Sequence, residues 1–458
     1  MNPPIGATTP APDPPQIPAT RRIGLVPLVG LIYVLVCAGP YGMEELVSAS
    51  GPGLAMLLIM VAPILWGVPM ALAVAELGSA WPLLGGYYRW TRTAFGDFWG
   101  FQQGWWQLLS AWVDNALYPV LVSDYLVTLV PALAEVRLPL LLGFTLSGDV
   151  AVRLAVILGL SLVNARGVTE VGNSTLLLGL LLLVPFVPYV ALGFAAIEHN
   201  PFLPLVPPDR SAFEALGLGM LIILWGYSGY EAMSTAVHEV EDPQRNLPRA
   251  LFWSIPISVL SYAVPIAAGL AAYGNWETWT SGTLATAAGA IGGPWLHQAV
   301  LIGALASSLA LFNAYTLSYS RLPQAMAQDR FLPAWLAKTS PRRGTPVRAI
   351  AANACVYGAL AFFEFRELVV VDTILFSAAY ILIFATLVRM RALYPDVERP
   401  YRIPGGRVGV WLVATVPTLA AIGACVLSDF EEIRWGLAAA TTGLPAYLVV
   451  RACRRPGR

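Results

Sequence analysis

The chain has 458 residues, of which 57% are hydrophobic and only 12% are charged, and its mean hydropathy is +0.66. This composition excludes an ordinary soluble domain and predicts an all-α integral membrane protein. The 27 basic and 27 acidic side chains balance, so the net charge gives no indication of nucleic acid as a partner, and the position of each charge matters more than the total.

The chain starts with a polar segment. Residues 1–20 contain seven prolines and no apolar run, so we expect residues 1–22 to form a disordered cytoplasmic tail. Arg21 and Arg22 precede an apolar stretch, as in a twin-arginine export signal. That stretch is too long for a signal peptide and no small-residue cleavage site follows it. We interpret residues 23–452 as one membrane domain and residues 453–458 as a cytoplasmic tail.

Twelve apolar segments follow the tail, and we read them as transmembrane helices because a spanning helix needs about 20 mostly apolar residues. In chain order, spans 1 to 12 are residues 24–49, 53–79, 95–127, 149–164, 168–195, 214–238, 250–273, 295–322, 346–363, 368–388, 408–427 and 433–452.

The basic residues show which side each loop faces. With the N-terminus inside, 22 of the 27 Lys and Arg residues fall in inner loops or tails and 5 fall in outer loops. Cytoplasmic loops carry such an excess, so we expect both termini in the cytoplasm and the protein in the plasma membrane. The four cysteines and three histidines lack the spacing of a metal site, and we expect no metal, no cofactor and no catalytic residue.

Two spans are interrupted in the middle, and each interruption carries a carboxylate. The first break lies within residues 37–45 and the second within residues 225–231. Gly and Pro remove helical hydrogen bonds, so we expect the backbone to unwind there. Unwound backbone at membrane depth must line a cavity or be buried in protein, and a pair of interrupted spans indicates a transporter's substrate site. The candidate substrate-binding residues of the breaks are Gly39, Pro40, Tyr41, Gly42, Glu44, Trp225, Tyr227, Ser228, Tyr230 and Glu231.

Each acidic candidate has a structural alternative. Glu44 and Glu231 are predicted cation ligands, but both are also placed to cap a helix N-terminus. Asp114, near the middle of span 3, is a candidate for substrate binding and, with Glu231, for proton coupling. Its alternative is a buried structural hydrogen bond, for instance with Asn115 or with a helix end. Asp124 and Asp372 lie nearer the outer face and are expected to be solvated, as is usual for charged residues at span ends.

The aromatic candidates also allow two interpretations. Trp225, Tyr227 and Tyr230 can stack on an ammonium group by cation–π attraction, worth about 0.5–2 kcal/mol each. Aromatic side chains are equally common as packing residues. The same question applies to Tyr315 and Tyr319 in span 8, which complete the set of candidate substrate-binding residues.

Three motifs lie at predicted cytoplasmic loops and carry a family resemblance. The first is Ala75-Glu76-Leu77-Gly78 with Pro82, Gly85-Gly86, Tyr88, Arg92 and Ala94-Phe95-Gly96; the second is Glu239-Val240, Asp242-Pro243, Arg245 and Leu247-Pro248-Arg249-Ala250; the third is Ala325-Met326-Ala327, Asp329, Leu332-Pro333 and Thr345-Pro346. Over residues 24–450 the chain resembles the amino acid–polyamine–organocation superfamily of secondary transporters.

A closer likeness is to the plant-type polyamine uptake branch of that superfamily. It rests on Gly39-Pro40-Tyr41-Gly42-Met43-Glu44, Trp99-Gly100-Phe101-Gln102, the run from Asp114 to Leu121, and Ser234-Thr235. The resemblance implies two inverted five-helix repeats, spans 1–5 and 6–10, with helices 1 and 6 broken and spans 11 and 12 peripheral. It favours Glu44 over Glu45 as the acid facing the site, and it places span 3 beside the site.

The resemblance also bears on the substrate. Amino-acid carriers of this superfamily hold the substrate carboxylate on free backbone N–H groups at the helix 1 break. Here Pro40 removes one N–H group and Glu44 adds negative charge, which favours a cation; alternatively, Pro40 merely starts the second half-helix. In the polyamine branch we would expect acidic residues on span 8 near the positions of Tyr315 and Tyr319. Tyrosines at these positions argue against a long polyamine and favour a shorter amine.

The loop motifs and span 5 complete the comparison with the family. Glu76, Glu239 and Arg245 are predicted to form gating or structural ion pairs rather than to bind substrate. Span 5 lacks the lysine that some relatives carry there, so no built-in cation and no sodium site is indicated.

The sequence thus predicts a proton-coupled secondary importer of small cationic amines such as polyamines. The alternative is an amino-acid permease of the same superfamily. The partners expected are the substrate, a proton and the lipid bilayer, and the sequence indicates no oligomeric state. An enzyme would need a convergent set of His, Cys or Asp residues, and the sequence shows none. A channel or receptor could also have broken helices, but only a carrier shows counterflow exchange of substrate.

Overall fold

The computed structural model describes residues 22–139, 145–363, 365–427 and 430–453, so nearly all of both predicted tails lies outside the described residues. The helices of the described residues are α1 Leu25–Val36, α2 Glu44–Ser50, α3 Pro52–Ala62, α4 Val68–Ala80, α5 Gly86–Phe95, α6 Asp97–Leu129, α7 Gly148–Arg166, α8 Val168–Leu183, α9 Phe186–Ala195, α10 Ala212–Gly226, α11 Pro243–Ala272, α12 Thr283–Gly292, α13 Pro294–Gln328, α14 Val347–Leu360, α15 Phe365–Leu393, α16 Gly406–Leu427, α17 Phe430–Thr441 and α18 Gly443–Cys453. Two short antiparallel strands, β1 Arg137–Pro139 and β2 Thr145–Ser147, pair between α6 and α7.

Eight helical stretches of the described residues are long and apolar enough to cross a bilayer. They are Pro52–Ala80, Gly148–Arg166, Val168–Ala195, Pro243–Ala272, Pro294–Gln328, Ile374–Leu393, Gly406–Gly423 and Arg434–Cys453. The first contains α3 and α4, joined by a π-helical turn at Pro63–Gly67. The structure is therefore that of a multi-pass helical membrane protein.

The other four predicted spans have different structures. Span 3 corresponds to α6, whose 33 residues include several polar side chains, and span 9 corresponds to the shorter α14. Spans 1 and 6 are each divided into two short segments: α1 and α2 form span 1, while α10 and a 3₁₀ helix over Ala232–Glu239 form span 6.

The first break lies between Val36 and Glu44. Gly39 and Gly42 have φ values of 89° and 86°, which are in the left-handed region that glycine adopts without strain. Pro40 lies four residues before α2 begins. It therefore belongs to the unwound segment, and the alternative in which it starts the second half-helix is wrong.

The second break lies between Gly226 and Ala232, and it touches the first. Gly229 has a φ of 106°, and a Cβ atom on it would lie 2.3 Å from the carbonyl oxygen of Leu35. Only glycine permits this approach. The Tyr262 hydroxyl of α11 donates to the carbonyl oxygen of Gly226 at 2.7 Å and also lies 3.4 Å from that of Cys37, so one side chain joins both breaks.

The two breaks are enclosed by long helices. The helix α6 packs along α13 and α15, α8 packs on α13, and α1 packs between α8 and α11. On the predicted cytoplasmic side, the backbone N–H of Ile23 donates to the carbonyl of Glu239 at 3.0 Å, and the Thr235 hydroxyl donates to the Ser318 carbonyl at 2.9 Å. On that side these contacts join the segment before α1 to the 3₁₀ helix, and the 3₁₀ helix to α13.

Candidate functional site

A cavity of about 50 Å³ lies where the two breaks meet α6, α13 and α15. Three carboxylates line it, those of Asp114, Glu231 and Asp372. The described lining contains no Lys, Arg or His. All three acids are at most 5% exposed. Burying an ionised carboxylate without a partner is costly, so this arrangement suits a cavity that receives a cation.

Asp114 is held by two tyrosines. The Tyr118 hydroxyl, one turn further along α6, donates to Oδ1 at 3.0 Å, and the Tyr319 hydroxyl of α13 donates to Oδ2 at 3.0 Å. The neighbouring Asn115 donates to Thr316, so the partners of Asp114 are tyrosines and not Asn115, which the structural alternative gave as an example. Both bonds to Asp114 come from neutral donors, which fix its orientation without neutralising its charge.

Glu231 precedes the 3₁₀ helix and points into the cavity. Its Oε2 accepts a short hydrogen bond from the Tyr380 hydroxyl of α15, and the backbone N–H of Gly229 donates to the same hydroxyl at 2.9 Å. Tyr380 therefore links the carboxylate to the unwound backbone of the second break.

The prediction that Asp372 is solvated is wrong. This residue is 3% exposed and lines the cavity, and its Oδ1 accepts a short hydrogen bond from the Ser110 hydroxyl of α6. The partner lies 262 residues earlier in the chain, so position within span 10 did not indicate its burial. Asp124, in contrast, is exposed as predicted, with a side-chain exposure of 56%.

Aromatic rings form one wall of the cavity. Tyr315 stacks on Tyr319 with ring centres 4.8 Å apart and on Tyr118 at 5.8 Å, and Trp225 at the end of α10 also lines the cavity. The Tyr315 hydroxyl donates to the carbonyl of Leu35 at 2.7 Å, so this ring also holds the end of α1. Tyrosine and tryptophan faces attract cations.

The two other aromatic candidates lie outside the cavity lining. The Tyr227 hydroxyl donates to the carbonyl of Ile59 at 2.9 Å, and its ring meets the edge of Tyr262. Tyr230 is fully buried and contacts the backbone at Gly67. Both side chains pack behind the second break, as the packing interpretation expects, whereas Ser228 lines the cavity and donates to the Leu224 carbonyl at 2.7 Å.

Glu44 is buried but does not line the cavity, and its neighbour Glu45 is exposed. Its Oε2 accepts from the backbone N–H of Gly42 at 2.7 Å, and its Oε1 accepts from that of Gly282 at 3.4 Å. Glu44 thus bonds backbone at the first break and at Gly282, and no side-chain bond caps the N-terminus of α2 as the structural alternative proposed.

The remaining candidates of the first break differ in position. Tyr41 lines the cavity, and its hydroxyl donates to the carbonyl of Val300 at 2.8 Å. Gly39, Pro40 and Gly42 shape the backbone beside the cavity without lining it. These three residues therefore contribute by setting the path of the backbone.

Several lining residues were missed by sequence reasoning. Tyr380, Tyr262, Ser110 and Gln107 line the cavity from α15, α11 and α6. Tyr118 was part of the resembling run but was not selected as a site residue. A polar or aromatic face on α6 at Gln107, Ser110 and Asp114, spaced by three and four residues, was the available signal.

The loop motifs form ion pairs. Arg321 contacts Glu239 with two bonds of 2.7 and 3.1 Å, and Arg391 and Arg399 both contact Glu76. The prediction of gating or structural pairs is confirmed for Glu76 and Glu239. Arg245 is exposed and has no ion pair within the described part of the chain.

Comparison with known proteins agrees with this architecture. A family model described as amino acid permease matches residues 23–434. The chain belongs to the amino acid permease family. It is therefore a membrane permease rather than an enzyme, and the resemblance inferred from the three loop motifs is confirmed.

Three relatives cover most of this permease. A probable polyamine transporter of Arabidopsis thaliana is 37% identical over 93% of this chain and 84% of its own length. The polyamine transporter RMV1 of Arabidopsis thaliana is 35% identical over 96% and 88%, and the polyamine transporter PUT1 of Oryza sativa subsp. japonica is 35% identical over 94% and 78%.

Proposed function

We propose that this permease is a proton-coupled secondary active transporter that imports small cationic amines, such as di- and polyamines. The observation that carries the proposal is the cavity between the breaks, where Asp114, Glu231 and Asp372 are buried and the described lining contains no cationic side chain. An ammonium group would neutralise these charges, and the stacked rings of Tyr315 and Tyr319 would add cation–π attraction.

The backbone at the breaks favours an amine over an amino acid. A carrier that holds a substrate carboxylate at a break needs free N–H groups there. The N–H of Gly42 is already bonded to Glu44, the N–H of Gly229 is bonded to Tyr380, and Pro40 has none. An amino-acid permease remains the alternative, supported by the family's name. The names of the three relatives support a polyamine as the substrate.

Proton coupling is proposed for Asp114 and Glu231. Both are buried carboxylates whose described donors are neutral hydroxyls, so each can hold a proton when the amine has left. No lysine stands in α8; instead Ser174 and Thr175 accept bonds from the Asn313 amide of α13. A protonatable acid is the simplest coupling device that remains.

We further propose the finer architecture implied by the family. The chain would have twelve spans in two inverted five-helix repeats, with helices 1 and 6 broken and two peripheral helices. Residues 1–22 and 453–458 would be cytoplasmic tails around the membrane domain 23–452 in the plasma membrane. Alternating access would open the cavity to one side of the membrane at a time by moving the helices around the fixed breaks.

Uptake by the purified permease in liposomes tests this function. Radiolabelled 1,4-diaminobutane should enter against empty-liposome controls, and unlabelled diamine should compete better than leucine or alanine. Counterflow, in which internal unlabelled diamine accelerates entry of label, identifies a carrier and excludes a channel or receptor. If leucine or alanine enters and the diamine neither enters nor competes, the amine proposal is wrong and the amino-acid alternative stands.

A further inference from the structure

The part of the cavity around Asp372 differs from the part around Asp114 in its hydrogen-bond donors. Each oxygen of Asp114 has a tyrosine donor, whereas the hydroxyl of Ser110 is the donor that meets Asp372. The carboxylate of Asp372 comes from α15 and lies in the cavity with no cationic neighbour in the described lining. The two acids are therefore separate acceptors on different helices.

A second polar group of the lining is available to a ligand. The Gln107 side chain lines the cavity and is 2% exposed, and its amide nitrogen has no hydrogen-bond partner among the described residues. A buried amide without a partner costs free energy, so a ligand that bonds this amide would recover part of that cost. Rotation of the amide exchanges its oxygen and nitrogen, and the oxygen can accept a bond from an ammonium group.

The helix α6 carries both Asp114 and the donor to Asp372. Gln107, Ser110 and Asp114 are spaced by three and four residues, so they share one face of the helix. Ser110, which holds Asp372, precedes Asp114 by one turn, which is about 6 Å along the axis. A linear diamine with a short methylene chain spans such a distance, and an amine with one nitrogen does not.

We propose that Asp372, Ser110 and Gln107 form a second ammonium subsite, which makes the cavity selective for linear amines with two cationic ends. This inference rests on the proposed amine transport and adds the chemical class within it. Asp114 and Glu231 receive one ammonium group, Asp372 and the Gln107 amide receive the other, and the stacked tyrosines cover the methylene chain. Asp372 is then a specificity-determining residue.

The test compares two ligands of equal chain length that differ in charge number. Butylamine and 1,4-diaminobutane are titrated against the purified full-length permease and against Asp372→Asn, with thermal stabilisation and calorimetry as readouts. A lost charge-assisted bond should weaken diamine binding about tenfold or more, while butylamine binding stays within about twofold. Gln107→Leu should also lower the affinity for the diamine and not that for butylamine, but by less than Asp372→Asn does. Asp124 is an exposed acid on α6, the helix that carries Gln107. Asp124→Asn is the matched control and should leave both affinities unchanged.

The outcomes separate this inference from the proposed function. If the unchanged permease binds neither amine, amine transport itself is wrong. If it binds both amines and Asp372→Asn weakens them equally, or changes neither, the subsite is wrong while amine transport stands. If Asp372→Asn does not fold, Gln107→Leu decides by the same criterion, because it alters the subsite without removing a charge.

Discussion

The Tyr319 hydroxyl donates a hydrogen bond to Oδ2 of Asp114 at 3.0 Å and thereby joins α13 to α6 at the centre of the protein. Tyr118 satisfies the other oxygen of the same carboxylate. A neutral donor can stay in place whether or not the acid carries a proton, unlike a salt-bridge partner. Asp114 is thus held in position for a change of charge, which connects this relationship to coupling.

Asp114→Asn should uncouple transport from the proton gradient. The amide has the size of the protonated acid and can still accept from a tyrosine, but it cannot release a proton. Uphill accumulation of diamine driven by a pH gradient should be lost in liposomes, while exchange of labelled for unlabelled diamine survives. If the variant still accumulates diamine against its gradient, Asp114 is structural and Glu231 becomes the first candidate for the proton.

Glu231→Gln should weaken diamine binding without unfolding the protein. The side chain points into the cavity, and the amide oxygen of Gln can still accept from Tyr380, so the link to the second break is retained. Loss of the charge should cost about 1.5–3 kcal/mol of binding, or tenfold or more in dissociation constant. Melting temperature and diamine affinity are measured on one preparation; a lower melting temperature with intact affinity would identify Glu231 as a cap only.

The buried pair between Arg321 and Glu239 predicts a stability effect away from the cavity. Arg321 is 1% exposed, so Glu239→Gln leaves a buried guanidinium without its counter-charge. Breaking such a pair costs about 3–5 kcal/mol, whereas replacing both members by apolar residues is often neutral. Thermal melting should therefore fall sharply in Glu239→Gln and recover in the double variant Glu239→Leu with Arg321→Met. Equal melting of the single variant and the unchanged protein would contradict this.

The broken helices were predictable because their cause is local. Gly39, Pro40 and Gly229 remove helical hydrogen bonds wherever they stand, so the sequence alone located both breaks. The cavity lining was only partly predictable because its contacts are distant. Asp372 meets Ser110 and Glu231 meets Tyr380 across 262 and 149 residues, and no local pattern encodes which helix faces meet.

The role of Glu44 can be decided by a variant with a built-in comparison. Its two oxygens accept from the backbone N–H groups of Gly42 and Gly282, and Glu44→Ala would leave both half-buried donors without this partner. We expect a loss of about 1–3 kcal/mol in stability, seen as a lower melting temperature, with diamine affinity within about twofold. Glu45→Ala, which changes the exposed neighbouring acid, should leave both quantities unchanged. Should Glu44→Ala instead lose diamine binding at an unaltered melting temperature, Glu44 contacts the substrate in another conformation of the permease.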